Sequence, residues 1–541
     1  MQSGTGNITL LATESVLQAA AGDILTAGAG TVSVTASTGS IEMQTGALTQ
    51  TEGGNASYNA RDDIEVTLID LRSAADRTTD TLNDQLDAWG SLALNSARGS
   101  VIDINAGDIN FYAEALRVEV ANGVGIGVDH LETELSTIAV NSTADGGVFI
   151  TESTALEVTK VDPVSINEVL QDGSILAVEN ALSLAGIQSQ NDIVLVTSSQ
   201  GLTISDFLTI SATGNLLLQS AAELSVNEII DAGTGYVSMI AVDDMSLAAN
   251  LITQGGTVDF QSSAGSVVFS PNVELSTFGG DVRIEAQLDT TLAIVDTRTA
   301  TDVAGDTLDD QLNWGRVSLV NHAGSLADAD VDPADLSPIN LFASDIRITT
   351  LSGIGTLTNA IEAESITLSA EVTGDALASN LNIQANTDID LISVAPVEVF
   401  RVAEDGTVSS RSDVAALSGL ATAVNGTIIL NVLSGNLATV SDIVTSGTGN
   451  VLLNVGSGAI DLNGNLQTET GNVSLLANGA LALSATSQIN TTSGTIDVMS
   501  GADIQLADGS ALTSTGGDIR VEAVDDILLS AIDAVDGNIL V

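Results

Sequence analysis

Residues 471–489 read GNVSLLANGALALSATSQI. Val473, Leu475 and Ala477 alternate with their neighbours, Leu481, Leu483 and Ala485 do so again after Asn478-Gly479, and Ile489 opens a third run. A period of two places each set on one face of a strand. The Asn-Gly pair between them is expected to supply the positive φ of a tight corner. The pattern returns as Ile496 and Val498, Ile504 and Leu506, then Leu512, and again as Ile519 and Val521, then Ile527 and Leu529. Val473, Ile496 and Ile519 are 23 residues apart, and so are Leu483, Leu506 and Leu529. Like residues at a fixed interval are what a parallel β-helix (β-solenoid) requires, because each coil stacks its inward side chains on those of its neighbours.

The same reading extends outward in both directions. Gly6-Asn7-Ile8, Gly30-Thr31-Val32 and Gly54-Asn55-Ala56 step by 24, which stacks Ile8, Val32 and Ala56, while runs starting at Gly214, Gly235 and Gly256 step by 21. Coils of about 20 to 24 residues suit three strands and three corners, and some two dozen of them would make a rod of roughly 110 Å at about 4.8 Å per coil. One coil cannot fold alone. Burying about six aliphatic side chains at roughly 1.5–3 kcal/mol each does not offset ordering about 23 residues at roughly 1–2 kcal/mol apiece.

A longer period overlies the coil. GGNASYNA at 53–60 returns as GGDVRIEA at 279–286 and GGDIRVEA at 516–523, and the Gly-Ile-Gly of 125–127 returns at 353–355. The expected organisation is one continuous solenoid over 1–541, with lead-in coils at 1–52, super-repeats at 53–278 and 279–515, and the start of a third at 516–541. The five prolines, Pro163, Pro271, Pro333, Pro338 and Pro396, are expected in loops that leave a corner without breaking an inner ladder. Met1 is followed directly by coil sequence without a basic or apolar leader, so the chain reads as a segment of a longer polypeptide that continues into further coils.

Composition narrows the function. Apolar residues are 44% but aromatics only 2%, which suits thin layers of Val, Ile, Leu and Ala. Seventy acidic residues against 13 basic ones give a net charge of -57, a field that repels nucleic acid and anionic lipid. No apolar run is long enough to span a bilayer, so no membrane insertion is expected. Without cysteine there is no disulfide, thiol nucleophile or thiolate metal site.

The recurring Gly-[Asn/Asp/Thr/Ser]-apolar-x-apolar-x-Ala pattern, followed by a polar corner and another alternation, resembles the repeats of filamentous haemagglutinin-like giant bacterial surface proteins over most of the chain. The resemblance implies a right-handed β-helix with short loop insertions, carried outside the cell or on the bacterial surface as an adhesin or stalk. Its partner would be a surface glycan or protein receptor. A passive structural filament and a β-helix carbohydrate-active enzyme are the other two readings.

Candidate sites are few. DTLNDQLDAWG at 80–90 and DTLDDQLNWG at 306–315 each read as a short helix, with Thr81 and Asp84, or Thr307 and Asp310, as a capping pair and Gly90 or Gly315 as a stop. Trp89 and Trp314 are the protein's two tryptophans. They either dock the helix on the solenoid or form, with Asp84 and Asp310, an exposed ligand-binding platform. The pairs Asp62-Asp63, Asp243-Asp244 and Asp525-Asp526 are expected as turn residues. Stacked carboxylates there could hold Ca²⁺, but no GGxGxDxUx repeat accompanies them, and no cofactor is expected. His130 and His322 lie in unlike contexts, and HExxH, GxSxG and P-loop motifs are absent, so no catalytic residue is assigned and no enzyme activity is expected.

Overall fold

In the computed structural model, which describes residues 1–79, 89–179, 182–305, 311–330, 339–374 and 379–541, the expected stacking is realised. Parallel coils form a β-solenoid of about 22 turns. The chain divides into two compact units, Met1–Gln254 with Phe400–Ser409, and Gly255–Val399 with Ser410–Val541.

In the first unit the leading strand of each coil forms one column. Ile8 pairs with Val32, Val32 with Ala56 and Ala56 with Leu92, all parallel. A second column carries Val16, Ile41, Ile64 and Val101. In the second unit the leading column runs Val258, Val282, Val317, Ile346 and Leu368, and later Leu381, Ile428, Val451, Val473, Ile496, Ile519 and Ile539. Val498 sits between Leu475 and Val521 and is fully buried, which fixes the 23-residue register. Leu483 pairs with Leu506 as expected, but the last strand of that column ends at Leu528 and Leu529 is exposed.

Glycine recurs at the corner for a reason different from the one its neighbours suggest. Gly54, Gly90, Gly280, Gly471, Gly494 and Gly517 have ordinary φ, but a Cβ on any of them would collide with the carbonyl oxygen of the glycine one coil earlier. Gly479 of the Asn-Gly corner likewise lacks the positive φ expected of it, and its Cβ position lies 2.8 Å from the carbonyl oxygen of Gly458. The constraint is the close approach of one coil's backbone to the next. A buried threonine completes the corner, as when the Thr51 hydroxyl donates to the Gly54 carbonyl and Thr468 to Gly471, both at 2.7 Å. The following Asn or Asp then accepts the amide one coil on: Asn7 Oδ1 from Thr31 at 2.9 Å, Asn55 from Ser91 at 2.8 Å, Asn472 from Thr495 at 2.9 Å. The Gly-Asn-apolar motif is therefore a close-packed glycine, a ladder amide and the first core residue.

Arms interrupt the coils. Helix α1 (Ala74–Thr79) lies in the first unit and helix α2 (Ala300–Gly305) in the second. A β-hairpin leaves the first unit after Pro163, pairing Ser165–Val169 antiparallel with Ile175–Glu179. The strands Glu398–Val402 and Val408–Ser412, after Pro396, make the corresponding hairpin 233 residues later, with Asp405-Gly406 matching Asp172-Gly173 at the turn. Both prolines stand where the chain leaves a corner. Among the described residues no helix is long and apolar enough to cross a membrane.

Candidate functional site

The two helical arms share one wiring. In the first unit the Asp70 carboxylate takes a fork from Arg72, Nε to Oδ1 at 3.0 Å and Nη2 to Oδ2 at 2.8 Å, and a third bond from Arg77 at 2.9 Å. Burial pushes its pKa up, but Arg72 and Arg77 hold it below the usual carboxylate range. The Arg72 guanidinium lies 3.6 Å from the centre of the Tyr112 ring. Ser73 caps α1: its hydroxyl accepts from the Asp76 amide at 3.2 Å and donates to Asp76 Oδ2 at 2.6 Å. Trp89 Nε1 donates to the same Asp76 oxygen at 2.7 Å.

The second unit repeats this with Asp296, Arg298 over the Phe342 ring, Thr299 capping α2, and Trp314 Nε1 donating to Asp302 Oδ2 at 2.9 Å. The shared signal, D-x-R-[S/T]-x-x-D at 70–76 and 296–302, begins ten residues after the ends of the duplicated octapeptides at Ala60 and Ala286. Both helices precede the DTLNDQL and DTLDDQL segments, whose residues 80–88 and 306–310 lie outside the described residues; the described part of the second segment holds a 3-10 turn, Gln311–Asn313. Asp84 and Asp310 fall among them.

Trp89 and Trp314 are not exposed platforms. Each is 4% exposed with its indole N–H taken by an aspartate, and Tyr112 stands edge-on to Trp89 at 6.4 Å. A ring enclosed in this way docks the arm and presents no face to a ligand. Gly90 and Gly315, expected as helix stops, belong to the glycine column at the start of the next coil.

The corner aspartates act as ladder residues. Asp63 Oδ1 accepts the Ser100 amide at 2.9 Å, and the Asp526 amide donates to Asp503 Oδ1 at 3.0 Å. Among the described residues no group of three or more His, Asp or Glu is arranged to hold a metal ion.

A duplicated carboxylate constellation escaped the sequence reading. Asn110 Nδ2 donates to Asp103 Oδ1 at 2.5 Å while its Oδ1 accepts the Glu132 amide at 2.9 Å. In the second unit Asn340 joins Asp328 and Glu362 in the same way, at 2.8 and 3.0 Å. Burial, then the facing Asp103 carboxylate, pushes Glu132 up to about 7; burial, then Asp328, pushes Glu362 up to about 7. The offset of 230 between Asn110 and Asn340 also matches Gly125 with Gly355. Both have positive φ, and their amides donate to Val101 and Leu326 one coil earlier. The repeated Gly-Ile-Gly was thus a match shifted by two residues.

Beside Glu132, a groove of about 610 Å³ in the first unit is lined by Val128, His130, Thr151, Glu404 and Asp405. His130 is nearly buried, with Nδ1 2.8 Å from the Thr151 hydroxyl and Nε2 3.0 Å from the Glu404 carbonyl oxygen. Both ring nitrogens are therefore engaged. A glutamate inside the solenoid, Glu152, accepts four bonds, from the amides of Leu135 and Thr154 and the hydroxyls of Thr133 and Thr154, while burial pushes it up to about 8.

No family model, curated protein or solved structure matches the chain.

Proposed function

We propose that this chain is a non-catalytic segment of a repetitive bacterial surface protein, an adhesin or stalk in which the solenoid sets distance and presents a surface. The fold is compatible with a structural or adhesin-like role. The observation that carries the reading is how the polar side chains are used. The Asn and Asp corners bond to the next coil, and the arginines and tryptophans of the arms are tied to aspartates. Chemistry spent on holding coils and arms in register favours a scaffold over a reaction centre. A partner would be met along the open flank by a glycan or receptor, outside the cell. A glycan array and a host-cell binding assay with the full chain test this. Saturable binding supports the adhesin form, absence of binding leaves the stalk form, and turnover of a polysaccharide would reject both.

The carbohydrate-active reading draws on Glu132, a raised carboxyl beside Asp103 at the edge of an open groove. If that reading holds, polysaccharide cleavage should be measurable and Glu132→Gln should abolish it while leaving the fold intact.

A further inference from the structure

Within the first unit one kind of interface is built twice, on the outward-facing second positions of the leading strands. The hairpin strand Ser165–Val169 lies over the first coils: Thr31 Oγ1 accepts the Asn167 amide at 2.9 Å, Ser33 bonds Glu168 at 3.1 Å, and the Val169 amide donates to Thr9 at 2.8 Å. Residues Phe400–Ser409 lie over later coils, where Val402 joins Phe149, Val194, Val196 and Leu217 and its amide donates to Ser238 at 2.8 Å. The covered positions Ser33, Phe149, Val194, Leu217 and Ser238 are buried although they face away from the solenoid interior. In the second unit Asp259, Arg283, Ser318 and Arg347 hold the same positions and are covered by Arg411, Asp413 and Ala415.

Two halves of this interface have no counterpart. The first is the tip of the first hairpin. Residues 170–177 are all exposed, Ile175 by 53% and Leu176 by 47%, and no heavy atom lies within 4 Å of the Cβ position of Gly173. The matching Gly406 of the docked turn is buried against Asp192 and Phe149. The second half is the continuation of the outward row. Ile429, Leu452, Ser474, Asp497 and Arg520 occupy the second position of successive leading strands and are only partly buried. Among the described residues, the bonds of Asp497 and Arg520 stay within this face.

We propose that the hairpin tip of one copy of this chain docks on the outward row Ile429–Arg520 of a second copy, repeating between molecules the interface that the first unit makes within itself. The chemistry matches. The docked turn in the first unit places Val402 on an apolar row, and the free tip offers Leu170, Ile175 and Leu176 to Ile429, Leu452, Leu476 and Met499. For a molecule of net charge -57, self-association needs surfaces poor in carboxylates. The tip carries one, Asp172, already accepting the amide and hydroxyl of Ser174, and the row carries one, Asp497, already paired with Arg520 of the same row. A tip on a row is a heterologous contact that propagates from copy to copy.

Sedimentation velocity of the full chain over a concentration series tests the proposal. The parent should associate, and Ile175→Glu with Leu176→Glu on the tip, or Leu452→Glu with Leu476→Glu on the row, should each weaken association by at least about tenfold. An equimolar mixture of the two variants should recover one intact interface and stop at dimers. The chain has no cysteine, so Ser174→Cys in one copy and Leu476→Cys in another should form a disulfide under mild oxidation well above a Ser174→Cys and Ser457→Cys control. A parent that stays monomeric, association that neither variant alters, or cross-linking no higher than the control would each overturn the proposal.

Discussion

Gly471 shows how little freedom one position has. Its Cβ would enter the carbonyl oxygen of Gly449, which the Thr445 hydroxyl holds at 3.1 Å two residues before the paired strand that starts at Val451. Gly471→Ala should therefore cost about 1–3 kcal/mol by overpacking. Gly516→Ala, where the nearest atom beyond its chain neighbours lies 3.4 Å away, should be close to neutral. Chemical denaturation of the two variants side by side checks the difference. Val498→Asp places an unpaired carboxylate between Leu475 and Val521 and should cost several kcal/mol, about the penalty for burying an unbonded polar group. Val498 was legible because alternation and the 23-residue step are carried by the side chains themselves. The meaning of Gly471 was not, since sequence gives a glycine's conformational freedom but not the atom that will stand beside it.

At the scale of the element, Glu132 and Glu362 predict a pH response. Each carboxyl is raised from 4.5 to about 7 in the folded state, so its stabilising contribution is complete below about pH 4.5 and lost as pH rises through about 7. Glu132→Gln with Glu362→Gln should flatten the fall in melting temperature between those limits and raise it at pH 8. An unchanged profile in a calorimetric pH series would count against the constellation. The arms make a separate prediction. After Asp533 the chain returns to the glycine column at Gly537 through Ala534, Val535 and Asp536, and these coils pair normally. Replacing 71–89 and 297–314 with Ala-Val-Asp should preserve the β-rich circular dichroism signal while lowering the melting temperature, because buried Leu71, Trp89 and Trp314 are lost. The arms were visible in sequence as insertions. The caps at Ser73 and Thr299 were missed because nothing local ranks Ser73 with Asp76 above other capping patterns in the same stretch. The hairpins were missed because their alternation looks like one more coil. Only the repeat of Val-x-Pro-Val at 161–164 and 394–397, followed by Asp-Gly-[Ser/Thr], sets them apart.

For the whole chain, a net charge of -57 spread over stacked coils means self-repulsion that simple salt should relieve. Melting temperature should rise with sodium chloride. At constant ionic strength a chelator should leave it unchanged, because Asp63 and Asp503 spend their carboxylates on ladder bonds; a large calcium-specific rise would contradict this assignment. The offsets between super-repeats add something about history. Asp70 and Asp296 are 226 apart, Asn110 and Asn340 are 230 apart, and Asp172 and Asp405 are 233 apart. The drift accumulates between coils, in corners and arms, while paired strands keep their register. Unequal recombination between such stretches would add or delete length without disturbing a core residue, provided the breakpoints fall at equivalent corners. A gene built this way can vary its reach from one lineage to the next, and frame-preserving gains of whole coils should be tolerated where a gain of half a coil is lethal to the fold.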